Sequence, residues 1–170
     1  MDLCFPPDFK RQLDAAEGWL GLGDHLSANE ELEQIPPTLR AHPKVLLLRY
    51  EIYSKENKWA ACVDIADAIV QTAPDLVDGW LKRSFALHEL KRTEEAYALL
   101  SPAAAQFAEH WVIPYNLACY CTQLDRFSEA ECWLKCAFEG GGEKAKLDAI
   151  DDADLEPLWR HRGDSTWKAI

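Results

Sequence analysis

Residues of like size return in this chain every 34 positions, and that period constrains the fold more than any other property of the sequence. Small side chains stand at Ala28, Cys62, Ala96 and Ala130. Four residues later the same step gives Leu32, Ala66, Leu100 and Leu134, and three further on Ile35, Ile69, Ala103 and Ala137. An apolar or aromatic track holds Trp19, Tyr53, Leu87 and Cys121. A turn track follows at Gly23, Asn57, Lys91 and Asp125, and just beyond it come His25, Trp59, Thr93 and Phe127. A period of this length fits one helix, a short polar turn and a second helix. The small residue on the second helix marks where the pair comes closest. The larger apolar residues one and two turns later extend the same face. One such hairpin cannot bury its apolar faces alone, so neighbours must stack.

The pattern resembles the tetratricopeptide repeat family, in which Trp, Leu, Gly and Tyr on the first helix precede Ala, Phe and Ala on the second, then Pro. In that register the repeats cover residues 9–42, 43–76, 77–110 and 111–144 of a single domain. Repeat three keeps Trp80, Ala96 and Ala103, with Leu100 at the Phe position. Repeat two keeps Tyr53, ends at Pro74 and has Cys62 for alanine; repeat four keeps Leu117, Ala118, Ala130 and Ala137. Repeat one has Gln12 at the tryptophan position. The resemblance implies an all-α fold, a right-handed α–α superhelix of about four helical hairpins with C-terminal capping helices. Arg49 and Arg83 depart from the pattern, standing where the family has leucine. Each must reach solvent along its stem or pair with an acid.

The prolines agree with the register. Pro6-Pro7-Asp8 reads as a stop followed by an N-cap, Pro36-Pro37 ends a second helix, and Pro43 and Pro74 fall between repeats. Pro102 falls inside the second helix of repeat three, which predicts a break near Ser101. Pro114 fits the first turn of its helix, where a missing N–H is tolerated.

Gly140-Gly141-Gly142 is suited to end the last repeat helix. Residues 145–150 and 152–159 then predict two short helices, whose Leu155, Leu158 and Trp159 cover the open side of the last hairpin. The stretch from Tyr115-Asn116-Leu117-Ala118-Cys119 through Asp152-Ala153-Asp154-Leu155-Glu156-Pro157-Leu158-Trp159 is similar to the closing module of a bacterial subgroup of tetratricopeptide proteins. That likeness implies a cap over residues 145–170 and names no ligand.

Charge narrows the partners. The formal charge is -11, with 29 acids spread along the chain. Such a surface repels nucleic-acid phosphates and anionic lipid, so neither is an expected partner. A basic or neutral protein or peptide is compatible. No apolar run approaches the length of a membrane span, and residues 1–7 do not read as a signal peptide, so a cytoplasmic location is expected. There the six cysteines, Cys4, Cys62, Cys119, Cys121, Cys132 and Cys136, are expected as reduced thiols.

The residues offer little chemistry. Cys119 and Cys121 point about 200° apart on one helix, and Cys132 and Cys136 share the outer side of another, so the four do not converge on zinc. No metal and no cofactor is expected. Among His25, His42, His88, His110 and His161 no two form an i, i+4 pair. Cys119 and His88 both fall on the inner face of first helices, the one arrangement open to a thiol enzyme, but no third group is evident to orient the histidine. A non-enzymatic protein is the expectation.

In the tetratricopeptide family, the first helices line a concave groove that commonly holds an extended peptide or a helix. The register places Asp14, Glu17, Leu48, Glu51, Lys55, Lys82, Phe85, His88, Glu89, Asn116, Cys119 and Gln123 there. The N-terminal part of this set is acidic. One family subset grips the C-terminal carboxylate of chaperone tails, but the matching positions here hold Leu13, Glu17 and Leu48, although Lys82 matches one basic position. Acidic positions repel a carboxylate, so that ligand is not expected. The leading expectation is a scaffold or adaptor that binds a segment of a partner protein in the groove. The alternative is self-assembly through exposed helix faces and Trp111 or Trp133, as a homo-oligomer or weak dimer, with a monomer the outcome that excludes it.

Overall fold

The structure, a computed structural model, describes residues 7–163. Its helices keep the 34-residue step. In chain order they are α1 (Pro7–Gly21), α2 (His25–Glu33), a 3-10 turn (Pro37–Leu39), α3 (Pro43–Lys55), α4 (Trp59–Thr72), α5 (Val77–Glu89), α6 (Thr93–Leu100), α7 (Ala103–Gln106), α8 (Val112–Gln123), α9 (Phe127–Ile150) and α10 (Glu156–Arg162). The first helices α1, α3, α5 and α8 end at Gly21, Lys55, Glu89 and Gln123. Their partners α2, α4, α6 and α9 begin at His25, Trp59, Thr93 and Phe127. No strand occurs among the described residues, and none of their helices is long and apolar enough to cross a membrane.

The turn track explains this regularity. Gly23, Asn57, Lys91 and Asp125 all have left-handed backbones, with φ of 79°, 55°, 62° and 58°. The next residue then turns its N–H back along the first helix. Asp24 donates to the Trp19 carbonyl at 2.9 Å, Lys58 to Tyr53 at 2.9 Å, Arg92 to Leu87 at 2.9 Å and Arg126 to Cys121 at 2.8 Å. This is the Schellman closure, which satisfies carbonyls that the helix end would otherwise strand. The carbonyls of Asp24, Lys58, Arg92 and Arg126 in turn accept from Ala28, Cys62, Ala96 and Ala130, starting the second helix. The small residue of the repeat therefore stands one turn into that helix, where it meets the first.

Burial follows the same tracks. All twelve residues of the small track and of the two apolar tracks after it are fully buried. The aromatic track is graded. Leu87 and Cys121 are buried and Tyr53 is half-buried, but Trp19 is 39% exposed.

The chain divides into two units between Ala86 and Leu87. The first has a core of Phe9, Leu13, Ala16, Ala28, Leu32, Ile35, Val45 and Ile52. Gly79 lets α5 approach α4 closely: a Cβ there would stand 2.8 Å from Cγ2 of Ile69. Arg49 and Arg83 both pair with acids, as the sequence requires of them. Arg49 meets Glu33 at 2.9 Å, and Arg83 meets Asp67 at 3.2 Å. These acids are themselves 34 apart, so the ion pair is a repeated feature. Arg83 is buried and also lies 4.9 Å over the Trp80 ring.

In the second unit Pro102 does what its position predicts. Helix α6 stops at Leu100, and α7 restarts one residue beyond the proline. Pro114 is the third residue of α8, within the first turn. Helix α9 runs past Gly140 and Gly141 and breaks only at Gly142, with φ 56° and ψ −141°. That combination is open essentially to glycine alone. Gly141 is held by contact instead: a Cβ would meet the Trp111 ring at 2.6 Å.

Two boundaries differ from expectation. Helix α1 begins at Pro7, so Asp8 lies in the first turn, 3.6 Å from Arg11, rather than capping. The final helix begins at Glu156 rather than at residue 152, because the Asp152 carboxylate accepts the Asp154 N–H at 2.9 Å and holds the chain in a turn. Leu155, Leu158 and Trp159 are buried, and Trp159 donates its indole N–H to the Ala149 carbonyl at 3.0 Å. Pro6 and Cys4 lie outside the described residues, as does the end of the expected cap, residues 164–170.

Candidate interaction surface

The expected groove positions fall on the first helices. In the first unit, Asp14 and Glu17 on α1 are exposed, as is Lys55 on α3. Leu48 and Glu51 are half-buried. Glu51 is not a free acid: its carboxylate forms an ion pair with Lys82 of α5. That ammonium also sits 4.8 Å over the Tyr50 ring, and the Tyr50 hydroxyl donates to the Lys82 carbonyl at 2.8 Å. Beneath this cluster, burial pushes the Cys62 thiol up to about 11, with Glu51 adding to the effect. The acidity expected of this face therefore reduces to Asp14 and Glu17. Phe85 projects beside it, 44% exposed, with its ring edge-on to Trp59 at 5.7 Å.

In the second unit the expected positions are occupied from within. His88 and Cys119 are buried, Glu89 and Asn116 are half-buried, and Gln123 is exposed. The turn of residues 152–154 reaches three of them. The Asp152 carboxylate accepts the Tyr115 hydroxyl at 2.8 Å and the Cys119 thiol at 3.7 Å. The Asp154 carboxylate lies 3.2 Å from Nε2 of His88, and its carbonyl accepts from the Gln123 side chain at 2.8 Å. Nδ1 of His88 meets the Thr93 hydroxyl at 3.0 Å, and its ring leans on Tyr120 at 5.1 Å.

This arrangement has chemical consequences. Cys119 and His88 engage different aspartates. Burial, reinforced by Asp152 and Asp154, holds the Cys119 thiol well above its usual range. Burial and the Asp152 hydrogen bond do the same for the Tyr115 phenol. The hydrogen bond from His88 holds the Asp154 carboxyl below the usual carboxylate range. A thiol nucleophile needs the opposite, a pKa depressed by a cationic neighbour. Burial also pushes Cys121 up to about 12. Cys132 and Cys136 are exposed on α9, and no group of three or more potential ligands that could hold a metal ion occurs among the described residues.

The sequence marked residues 152–159 as covering material but did not foretell that two aspartates would reach α5 and α8. The readable signal was the Asp-x-Asp spacing, which suits a side chain that closes on the backbone two residues on. Trp111 and Trp133, considered for self-assembly, are both half-buried. Trp111 packs on Gly141 and lies edge-on to Tyr115 at 5.9 Å.

Solved structures share this fold. The chain is similar to MamA residues 41 to the end from Desulfovibrio magneticus RS-1, with 13% identity and a TM-score of 0.73 over 94% of this chain and 88% of that one. It is also similar to MamA of AMB-1, with 20% identity and a TM-score of 0.64 over 91% and 82%. MamA of MSR-1 gives 17% identity and a TM-score of 0.64 over 93% and 86%. MamA is a tetratricopeptide-like protein, and the helical-hairpin solenoid is the fold class of this chain. No protein-family model matches the sequence, and no curated protein matches it.

Proposed function

We propose that this chain is a non-enzymatic scaffold that holds a peptide or helical segment of a partner protein against its first helices. We assign its repeats, of tetratricopeptide type, to residues 9–42, 43–76, 77–110 and 111–144 of one domain, with residues 145–170 as the closing module and the cytoplasm as its location. The observation that carries the reading is the split between the expected contact positions. His88, Cys119 and Gln123 already engage residues 152–154. Asp14, Glu17, Lys55 and Phe85 stand exposed. Partner contacts therefore fall on α1, α3 and the Phe85 turn of α5, where carboxylates beside an exposed ring suit a basic segment with an apolar anchor. Thiol chemistry at Cys119 is disfavoured by the same facts that bury it.

Cross-linking mass spectrometry on the chain in its native extract tests this. Partners should cross-link at Lys55 and Lys82, and Asp14→Lys with Glu17→Lys should reduce their recovery. Recovery equal to that of the unaltered chain refutes the acidic contact. A second reading, self-assembly, is favoured by Trp19, Leu22 and Leu26, exposed by 39%, 79% and 75% at the α1–α2 turn. Light scattering that finds a monomer at high concentration removes it.

A further inference from the structure

The second half of α9 carries a surface that the first-helix positions do not include. Leu147 and Ile150 are exposed by 63% and 47%, an unfavourable display of large aliphatic side chains on so short a stretch. Leu147 borders a crevice of about 500 Å³, lined also by Tyr115, Asp148, Asp151 and Asp152. Asp148 and Asp151 are three apart and line the crevice together with Leu147. Lys144 is paired with Asp148 at 2.8 Å, which leaves the rim two charges negative.

The helix end adds to this field. The last turn of α9 holds no basic residue, and its C-cap is Asp151. A helix C-terminus carries a partial negative charge and favours a cation. Here the C-cap is itself a carboxylate, Asp151, which adds to that negative potential. The Asp152 carboxylate is held in place on the crevice wall by the Tyr115 hydroxyl and the Asp154 N–H.

We propose that this crevice docks a segment of another protein that carries an arginine or lysine next to a leucine-like side chain. The cation meets the Asp151 carboxylate beside the Lys144–Asp148 pair, and the aliphatic group covers Leu147 and Ile150. Charge decides the occupant. A second copy of this chain carries a net charge of -11, and its own exposed apolar turn at Trp19 and Leu22 is flanked by Glu17 and Asp24. Like charges at such an approach oppose association. Anionic lipid and nucleic acid fail for the same reason.

The test is an amide-shift titration of the isotope-labelled full chain with three four-turn helical peptides. One is built from leucine, alanine and arginine, the second has glutamate for arginine, and the third has alanine for leucine. The arginine–leucine peptide should shift the amides of Leu147, Asp148, Ile150, Asp151 and Tyr115, and the other two should not. Leu147→Ser with Ile150→Ser, and separately Asp148→Asn with Asp151→Asn, should each weaken that binding by about tenfold or more. These side chains are exposed, and an unchanged thermal melt for each variant keeps the comparison valid. Shifts confined to Asp14, Glu17 and their neighbours overturn this proposal and leave the first-helix reading standing. Equal response to the glutamate peptide, or equal affinity in the serine variants, also overturns it.

Discussion

Nε2 of His88 lies 3.2 Å from the carboxylate of Asp154, and 66 residues of chain separate the two. The contact ties the last turn of α5 to the turn before α10. His88 is buried, its other ring nitrogen faces the Thr93 hydroxyl, and Lys91 adds positive potential at Asp154. A carboxyl whose folded pKa is depressed contributes stability above its unfolded pKa, and loses that contribution as pH falls through the folded value. Docking of residues 152–159 should therefore hold at neutral pH and loosen below about pH 4. Hydrogen exchange across that segment measures it. Asp154→Asn should flatten the acid dependence at a cost of about 1 kcal/mol or less, since the carboxylate is partly solvated.

The buried thiols should be protected at neutral pH. Cys132 and Cys136 are exposed, whereas Cys62, Cys119 and Cys121 are buried with raised pKa. Iodoacetamide mapped by mass spectrometry should label the first pair rapidly, and the other three only with global unfolding. Rapid labelling of Cys119 in the folded chain would reopen thiol chemistry.

The left-handed turns give a reciprocal pair of substitutions. Lys91 holds φ at 62° with a full side chain, and Gly23 holds 79° without one. Lys91→Gly should stabilise, and Gly23→Ala should destabilise by about 1 kcal/mol, the cost of a Cβ in that region. Urea unfolding of both variants reads the signs directly.

The crossing alanines tolerate no enlargement. Ala96 is fully buried at the start of α6. Ala96→Leu should cost about 1–3 kcal/mol by overpacking, and Leu100→Ala about 2–5 kcal/mol by leaving a cavity. Equal melting temperatures for Ala96→Leu and the unaltered chain would contradict the close crossing.

Arg83 and Asp67 should behave as a coupled pair. Asp67→Ala leaves a mostly buried guanidinium without that carboxylate and should cost about 1–3 kcal/mol. Adding Arg83→Leu, which removes the stranded charge and keeps an apolar side chain, should recover much of the loss. A double-mutant cycle in thermal melts separates the two effects.

Most of the scaffold was readable because each track answers to one physical demand. Gly23, Asn57, Lys91 and Asp125 share no chemistry, yet each occupies the one left-handed site that closes its hairpin. Spacing revealed them where residue type would not have. Pro102 was readable because a missing N–H acts locally. The side-chain contacts of the first helices were harder. Lys82 neutralising Glu51, and Asp152 and Asp154 reaching Cys119 and His88, depend on side chains 31 to 66 residues apart. Periodicity assigns a position to a face and cannot say which distant group arrives there.

Residues 152–154 are covalently tethered to the surface they cover. A tethered segment competes at an effective concentration on the order of millimolar. An incoming peptide that sought His88, Cys119 and Gln123 would lose apparent affinity in proportion to the fraction of chains in which that turn is docked. Loosening the turn, by acid or by Asp154→Asn, would raise the yield of such an encounter without altering a single contact the peptide makes.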